Sequence, residues 1–438
     1  MTDFRRLRVA LLGAGAVGSQ VADLLLRHGD ELADRAGARL ELAGIAVRDV
    51  DAPRDVDLPR ELYTTDAEAL ITSADIVVEL MGGIEPARSH ILLGLGSGAD
   101  VVTANKALLA THGSEVFEAA GRVGASVYYE AAAAGAIPII RPLRDSLAGD
   151  RVVRIMGIVN GTTNYILDRM DSEGADFSDV LADAQRLGYA EADPTADVEG
   201  YDAAQKAAIL ASLAFHTAVP LEAVHREGIT SITASMIEEA RAAGFVIKLL
   251  AVCERLAAAG SESISVRVYP ALVPRSHPLA AVHGPNNAVF VEAEAAGSLM
   301  FYGAGAGGVQ TASAVLGDVV SAARRHIAGG TGVGESTRAN LPIVSIGHVL
   351  TRYQITLEVS DEPGVLATIA GLLSEGDVSV ATLVQTVIPA EDGGEGESAR
   401  LIIGTHRATD SALSAAVDRL TASDVVERVV SVLRVEGE

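Results

Sequence analysis

Tryptophan is absent from this chain and aromatic residues make up only 4% of it, so a core has to be built from aliphatic side chains. The hydrophobic content of 49% is ample for that. A single cysteine, Cys253, excludes an intrachain disulfide and any cysteine-cluster metal site. No apolar run approaches the roughly 20 residues that a membrane span needs. Positive charge is scarce: 34 Lys and Arg stand against 58 Asp and Glu, a formal net charge of −24. That argues against nucleic acid or an anionic membrane as partner, but not against an anionic small molecule at a local site. The N-terminal stretch MTDFRRLRVALLGAG runs straight into a strand pattern with no apolar signal region, and a soluble cytoplasmic protein is the expectation. A chain of 438 residues suggests two or three domains.

What is present begins with a glycine fingerprint. Leu7–Leu12 is an apolar run of strand length, followed by GAGAVG (Gly13, Gly15, Ala16, Val17 and Gly18 within it) and then by helical apolar spacing. In that strand–turn–helix setting the first glycine permits the turn, the second lets a pyrophosphate approach the backbone and the third lets helix pack on strand. A dinucleotide, NAD or NADP, is the expected ligand, held by free N–H groups at the positive end of the helix. A second strand ends at Arg48 and Asp49. An acid there suits the ribose hydroxyls of NAD, an arginine the 2′-phosphate of NADP. Both are present, and Arg48, directly after the strand, favours acceptance of NADP. Two more buried strands precede Gly82-Gly83 and Asn105-Lys106, positions at the strand ends where ligands bind in open α/β sheets. Lys106 there is either a site residue or an ordinary solvated loop lysine.

The middle of the chain carries the residues expected to meet a substrate. Val127-Tyr128-Tyr129 leads to Glu130 and then AAAAGAIPII, where one carboxylate and freed carbonyls suit a hard cation or else form a plain tight turn. Asn160-Gly161-Thr162-Thr163-Asn164 opens a helix, with side chains that either cap it or bind a small polar molecule. GAGAGG, including Gly307, is a second glycine-rich turn into a helix and suggests a close backbone approach, or a simple flexible turn. Most informative is AQRLGYAEADPTADVEGYDAAQK, residues 184–206. It gathers Glu191, Asp193, Asp197, Glu199 and Asp202 in turns and then enters a helix, where Asp202 and Lys206, four apart, lie on one face and can pair. Composition alone leaves an acidic surface loop with an ordinary ion pair as the alternative.

Taken together, six ordered motifs resemble the homoserine dehydrogenase family: GAGAVG, ELMGG, TANKALLA, EAAAAGAIPII, GIVNGTTNYIL and GYAEADPTADVEGYDAAQK, spread over about residues 7 to 325. The resemblance implies NAD- or NADP-dependent interconversion of L-homoserine and L-aspartate 4-semialdehyde, in threonine, methionine and isoleucine biosynthesis. By the same resemblance Lys206 is the general acid/base, Asp202 orients it, and Lys106 is a second lysine near the reacting oxygen and the nicotinamide. Glu191 and Asp197 would hold the substrate ammonium, with Gly161, Thr162 and Tyr189 shaping the pocket. Glu130 with the carbonyls of Ala133, Gly135 and Ile137 looks like the family's sodium site, and Gly307 lies in the turn brought toward the cofactor. A homodimer or homotetramer is implied. Lysine acid chemistry is the physically expected kind, because hydride delivery to an aldehyde creates an alkoxide that needs a proton or a cation beside it.

After Leu341-Pro342 the composition changes to a βαββαβ order: strands at Tyr353–Val359, Val378–Val387, Arg400–Thr405 and Val425–Val435, helices after Gly364 and over Ser411–Leu420, and a loose loop over Pro389–Ser398. This part resembles an ACT domain. Threonine is the effector that the family habit suggests, and a purely structural or dimerising module is the alternative.

The expected architecture is α/β, with a Rossmann-type doubly wound sheet in residues 1–135, an α+β substrate-binding and dimerisation domain in 136–330, and a ferredoxin-like ACT domain in 350–438. Two rivals are a nucleotide-dependent amino-acid sensor without catalysis, which would need no proton-transfer lysine, and another amino-acid or semialdehyde dehydrogenase. Cys253 sits in an apolar run, KLLAVCERL, expected to be helical and packed, which counts against a thiolate mechanism.

Overall fold

The computed structural model describes residues 4–258, 261–330, 337–388 and 398–437. The chain first builds a six-stranded sheet from β1 (Arg6–Leu12), β2 (Arg39–Ala46), β3 (Tyr63–Thr64), β4 (Ile76–Glu79), β5 (Asp100–Thr103) and β6 (Val127–Tyr128). Their order is β3-β2-β1-β4-β5-β6, with every neighbouring pair parallel. Helices cover both faces, so β4 and β5 are buried throughout and show no apolar–polar alternation in the sequence. The strand order reverses between β2-β1 and β4-β5, which opens a crevice beyond the carboxyl ends of β1 and β4.

The second sheet has ten strands: β7 (Val152–Ile158), β8 (His225–Arg226), β9 (Phe245–Ala258), β10 (Ser261–Pro274), β11 (Asn286–Ala293) and β12 (Gly297–Ala304), then β14 (Tyr353–Ser360), β15 (Val380–Ile388), β16 (Ser398–Thr405) and β18 (Val426–Val435). A separate two-stranded pair is made by β13 (Leu350–Thr351) and β17 (Ala408–Thr409). The path is β12-β11-β7-β9-β10-β18-β14-β16-β15, with β8 alongside β10. The C-terminal strands follow the expected βαββαβ order, with helices Val365–Ser374 and Asp410–Thr421. They continue the middle sheet through a parallel pairing of β18 with β10 at Ala271–Arg434 and Leu272–Val435. The loop expected over Pro389–Ser398 lies, but for Ser398, outside the described residues.

Two expectations are corrected. The run KLLAVCERL is not helical: it lies in β9, paired antiparallel along its length with β10. Ile247, Leu249 and Cys253 pack toward the helix Tyr201–Phe215, while Val246, Leu250 and Val252 pack toward Met156, Leu279 and Val282. A strand buried on both faces loses its polar alternation and cannot be told from a buried helix by periodicity. The second correction concerns the boundary at residue 330. The helix Gly308–Ala328 packs on the nucleotide unit, where Ala312, Val315, Val319, Ala322 and Ala323 share a core with Val21, Ala22 and Leu25. Its Arg325 then clamps the buried Asp100 of β5 with nitrogens at 2.6 and 2.8 Å. The first unit is therefore completed by a helix that follows the second unit in sequence. Among the described residues no helix is long and apolar enough to cross a membrane.

One glycine contact ties the two units together. Gly135, at φ +61°, lies so close to the second glycine-rich turn that a Cβ would stand 2.3 Å from the Gly305 carbonyl oxygen. A positive φ and a backbone neighbour leave no room for a side chain. Gly135→Ala is expected to destabilise the protein by about 2 kcal/mol or more, read as a fall in melting temperature. An unchanged melting curve would show that the turn gives way freely.

Candidate active site

The crevice end of the first sheet is shaped by main chain. Gly13 has φ +101°, and a Cβ on Gly18 would stand 2.1 Å from the Gly13 carbonyl, so both positions demand glycine. Gly15 caps the helix Ala16–Arg27, and Ala16 and Val17 form its first turn. Gly307, at φ +120°, caps the helix Gly308–Ala328, and a Cβ on Gly308 would stand 2.7 Å from the Ala16 carbonyl. The two glycine-rich turns thus face each other across a cavity of about 400 Å³ lined by Ala14, Gly15, Ala16, Arg54, Gly308 and Gln310. Two helix N-termini with side-chain-free approaches suit a dinucleotide pyrophosphate. Arg48 is exposed just beyond β2 and does not line this cavity. Arg54 does, with its guanidinium 4.3 Å from the Tyr63 ring centroid and bonded to the Ala52 carbonyl at 2.8 Å.

Beside the crevice a buried acid sets two loops. Glu79, at the end of β4, accepts from the N–H groups of Met81 (2.8 Å) and Gly82 (3.3 Å) and from the Thr103 hydroxyl (2.7 Å). Asn105 binds the Gly83 carbonyl at 2.6 Å and caps the helix Lys106–Val123 through the Leu108 N–H. Lys106 is therefore delivered as the first residue of a fixed helix.

Lys206 comes from the other unit. Gly200, at φ +77°, starts the helix Tyr201–Phe215, which places Asp202 and Lys206 on one face. The Lys206 Nζ lies 2.7 Å from Asp202 Oδ2 and donates to the Val159 carbonyl at 2.6 Å. The Lys106 Nζ reaches the other oxygen, Oδ1, at 3.1 Å. Asn160 Nδ2 bridges Asp197 Oδ1 (2.7 Å) and Asp202 Oδ2 (3.0 Å). One buried carboxylate thus gathers two lysines and an amide. Burial alone would raise the Asp202 pKa, but Lys206, Lys106 and the hydrogen bonds from Lys206 and Asn160 outweigh it and hold the group well below the usual carboxylate range. Burial raises Asp197, with the Asp202 charge adding to the rise against the hydrogen bond from Asn160. The lysine side chains differ in access: Lys206 is 10% exposed and Lys106 42%, so the second stands at the mouth of the site.

The remaining expected residues divide. Thr162 donates to the Tyr189 carbonyl at 2.7 Å, and Tyr189 packs on Tyr165 with centroids 5.0 Å apart. Gly161 opens the helix Gly161–Glu173 against the Pro285 carbonyl, where a Cβ would stand at 2.5 Å. These residues and Asp197 border the cluster through Asn160. Glu191 is exposed in the turn, and its carboxylate makes no hydrogen bond or ion pair among the described residues. The Glu130 carboxylate does not fit a cation. Its Oε1 accepts from the N–H groups of Ile139 (2.5 Å) and Ile140 (2.7 Å), and its Oε2 from the N–H (3.0 Å) and Nε (2.9 Å) of Arg141. Four donors and an adjacent guanidinium leave this acid nothing to offer a second positive charge. Among the described residues no cluster of three His, Cys, Asp or Glu could hold a metal.

Comparison with known proteins decides the family. A family model for homoserine dehydrogenase matches residues 138–320, and one for the homoserine dehydrogenase NAD binding domain matches residues 13–130. A homoserine dehydrogenase of Mycobacterium tuberculosis is 55% identical over 438 residues, covering 99% of both chains. The chain belongs to the homoserine dehydrogenase family. It is an NAD(P)-dependent oxidoreductase. A crystal structure of a homoserine dehydrogenase from Thiobacillus denitrificans superposes with a TM-score of 0.89 at 38% identity, covering 99% of this chain and 98% of that one. A hyperthermophilic archaeal homoserine dehydrogenase in complex with NADPH gives a TM-score of 0.60 at 27% identity, over 74% of this chain and 99% of that one.

Sequence reasoning missed three contributors to the enzyme's site. Glu79 was hidden inside an apolar strand, although an acid ending such a run signals a satisfied buried group. Asn160 is expected to cap the helix or to bind a small polar molecule; it caps through the Thr163 N–H, and its amide nitrogen also joins two acids, which neither alternative foresees. Arg54 lies in an irregular segment whose path no local pattern fixes. Cys253 is fully buried and donates toward the Ala207 carbonyl, and burial pushes its thiol up to about 12. A thiol reagent at mildly alkaline pH should therefore leave native enzyme unlabelled and active. Rapid stoichiometric labelling would restore Cys253 as a reactive group.

Proposed function

We propose that the cluster of Lys206, Asp202 and Lys106 carries the proton chemistry as this enzyme interconverts L-homoserine and L-aspartate 4-semialdehyde. One observation supports the reading above all others: two lysines from separate units meet on a single buried acid at the edge of the nucleotide crevice. When bound, the nicotinamide supplies the hydride in one direction and accepts it in the other. In the reducing direction the aldehyde oxygen then needs a proton. An ammonium has three N–H donors. Asp202 and Val159 occupy two of those on Lys206, which leaves the third for the reacting oxygen. Lys106 adds a second positive charge on the side of the nucleotide unit, where it favours the alkoxide over the neutral carbonyl. Asp202 orients both lysine nitrogens, one on each of its oxygens. Asp197, held by Asn160, and Glu191, with its unengaged carboxylate, are the acids for the substrate ammonium, bordered by Gly161, Thr162 and Tyr189.

Both NAD and NADP are proposed as cofactors. Gly13, Gly15, Ala16, Val17, Gly18 and Gly307 supply the main-chain cradle, and Arg54 rather than Arg48 is the arginine that borders it. A sodium ion near Glu130 would rest on main-chain oxygens such as those of Ala133, Gly135 and Ile137, because the Glu130 carboxylate is already occupied. Assembly as a homodimer or homotetramer and a cytoplasmic location belong to the same reading.

Turnover with homoserine and each cofactor, followed by the absorbance of reduced nicotinamide, tests the assignment. Lys206→Ala should lose turnover by about 100-fold or more while still binding NADP. Asp202→Asn should lower kcat more than it raises KM, because it removes orientation rather than binding. Near wild-type kcat in the lysine variant would remove Lys206 from the chemistry.

The C-terminal βαββαβ unit is proposed to be an ACT-like sensor of amino acids, with threonine as the effector. The support is its strand and helix order together with the Asp361–Gly364 turn that leads into the helix Val365–Ser374. Adding L-threonine should depress activity in the millimolar range or below; a flat response would leave the unit a structural module.

A further inference from the structure

Six residues, His225–Thr230, touch both the C-terminal unit and the start of the helix that carries Asp202 and Lys206. On one side, Glu227 is fixed to β10 by its N–H on the Val268 carbonyl at 2.8 Å. Its carboxylate receives Arg434 Nη1 at 2.9 Å on each oxygen and faces His225 Nε2 at 2.7 Å. Arg434 belongs to β18 of the C-terminal unit and is held there by Asp410 at 2.8 Å. Its guanidinium also lies 4.7 Å from the Tyr269 ring centroid, so the arginine is held over aromatic surface while the Glu227 side chain stays partly exposed.

On the other side, Arg226 donates to the Glu199 main-chain carbonyl and stacks 3.6 Å over the Tyr201 ring. The Ile229 N–H binds the Val198 carbonyl at 2.8 Å, and the Thr230 hydroxyl binds the Glu199 carboxylate at 2.9 Å. Gly228 approaches so closely that a Cβ would stand 2.5 Å from the Val198 carbonyl. The turn Val198–Tyr201 is therefore gripped along its whole length. Asp197 precedes that turn and Asp202 follows it, and both acids bind the one Asn160 amide, so a shift of the turn moves both.

We propose that Arg226 and Glu227 are positioning residues for the reaction: Arg434 anchors Glu227, and the adjacent Arg226 sets the turn Glu199–Tyr201, which aims Asp202 and, through it, both lysines. The inference rests on the reading of Asp202 and Lys206 as the catalytic pair. Arginine is required at 226 because one planar group both stacks on Tyr201 and points a donor at the Glu199 carbonyl. A lysine offers a charge but no plane.

The test uses full-length Arg226→Gln, Glu227→Gln, their double variant and Arg226→Lys. Steady-state kinetics, melting temperatures and amide exchange over residues 198–206 are measured for each. Arg226→Gln should lower kcat about tenfold, since small misplacements of catalytic groups cost that much or more. Its KM for the cofactor should stay within about twofold. Glu227→Gln should act in the same sense and more weakly, and the double variant should be no worse than Arg226→Gln, because the two act in series. Exchange in the first turn after Gly200 should quicken in each, and Arg226→Lys should fail to restore kcat. Should Arg226→Gln not fold, Arg434→Gln, on the far side of the link, is expected to reproduce Glu227→Gln. A kcat within about twofold of wild type in Arg226→Gln, a double variant whose loss is the product of the single losses, or a change in KM alone would each overturn the coupling. If Lys206→Ala is inactive while Arg226→Gln is normal, only the positioning role falls. If Lys206→Ala turns over normally, the reading of the cluster falls instead.

Discussion

Asp202 is the group on which the rest of the structure depends. A carboxylate taken out of water is costly unless positive charge and hydrogen bonds replace its hydration. Here the replacement is drawn from three places: Lys206 on the same helix, Asn160 at the end of β7 and Lys106 on the nucleotide unit. Removing any one leaves a buried charge short of a partner. The acid therefore does more than tune a lysine. It also joins the two units, because Lys106 on one and Lys206 on the other meet on its two oxygens.

Layers of buried polar contacts support each partner. Glu79 organises the loops after β4 and β5, so that Asn105 can cap the helix whose first residue is Lys106. The helix Gly308–Ala328 returns from the second unit to complete the core of the first, and its Arg325 fastens the buried Asp100. The Gly135–Gly305 contact holds the two units at a distance set by main chain alone. Each device is short, buried and fully partnered, which is what a site needing sub-ångström placement demands.

The parts of this arrangement that were legible in the sequence share one physical character: they are local. The glycine turn at Gly13–Gly18, the helix entry at Gly200 and the four-residue spacing from Asp202 to Lys206 follow from backbone sterics and helical period, and the structure has them in those places. The non-local parts were not legible. No spacing tells that Lys106 and Lys206 share one acid, because their separation in sequence is bridged only by the fold. At Glu130 the sequence leaves a cation and a plain turn open for a related reason: an acid beside small residues looks free, and only the chain's return at Ile139–Arg141 reveals the donors that occupy its carboxylate. KLLAVCERL misled because burial on both faces erases the period that separates strand from helix.

The C-terminal unit illustrates how a shared sheet changes what a module can do. A unit tethered by a linker could move without consequence for the site. This one is bonded edge to edge with β10, and β10 also carries β8, whose Arg226 grips the start of the catalytic helix. Arg434 sits at the point where β18 meets β10, so the ion pair with Glu227 is made by the residue that joins the sheets. A ligand can shift an equilibrium only by binding two arrangements unequally. For anything bound to the C-terminal unit, the arrangements that matter are those that differ in how β18 lies against β10. Other buried polar links also join the C-terminal unit to the middle of the chain: Glu436 with Arg154, Arg267 and Tyr269, and Glu239 with Thr356 and Arg400; among the described residues neither has a hydrogen bond to the turn before Asp202. The Arg434–Glu227 link differs because its next neighbour in sequence touches that turn directly. Proximity in the chain, rather than the strength of the ion pair, is what makes it a route to the lysines.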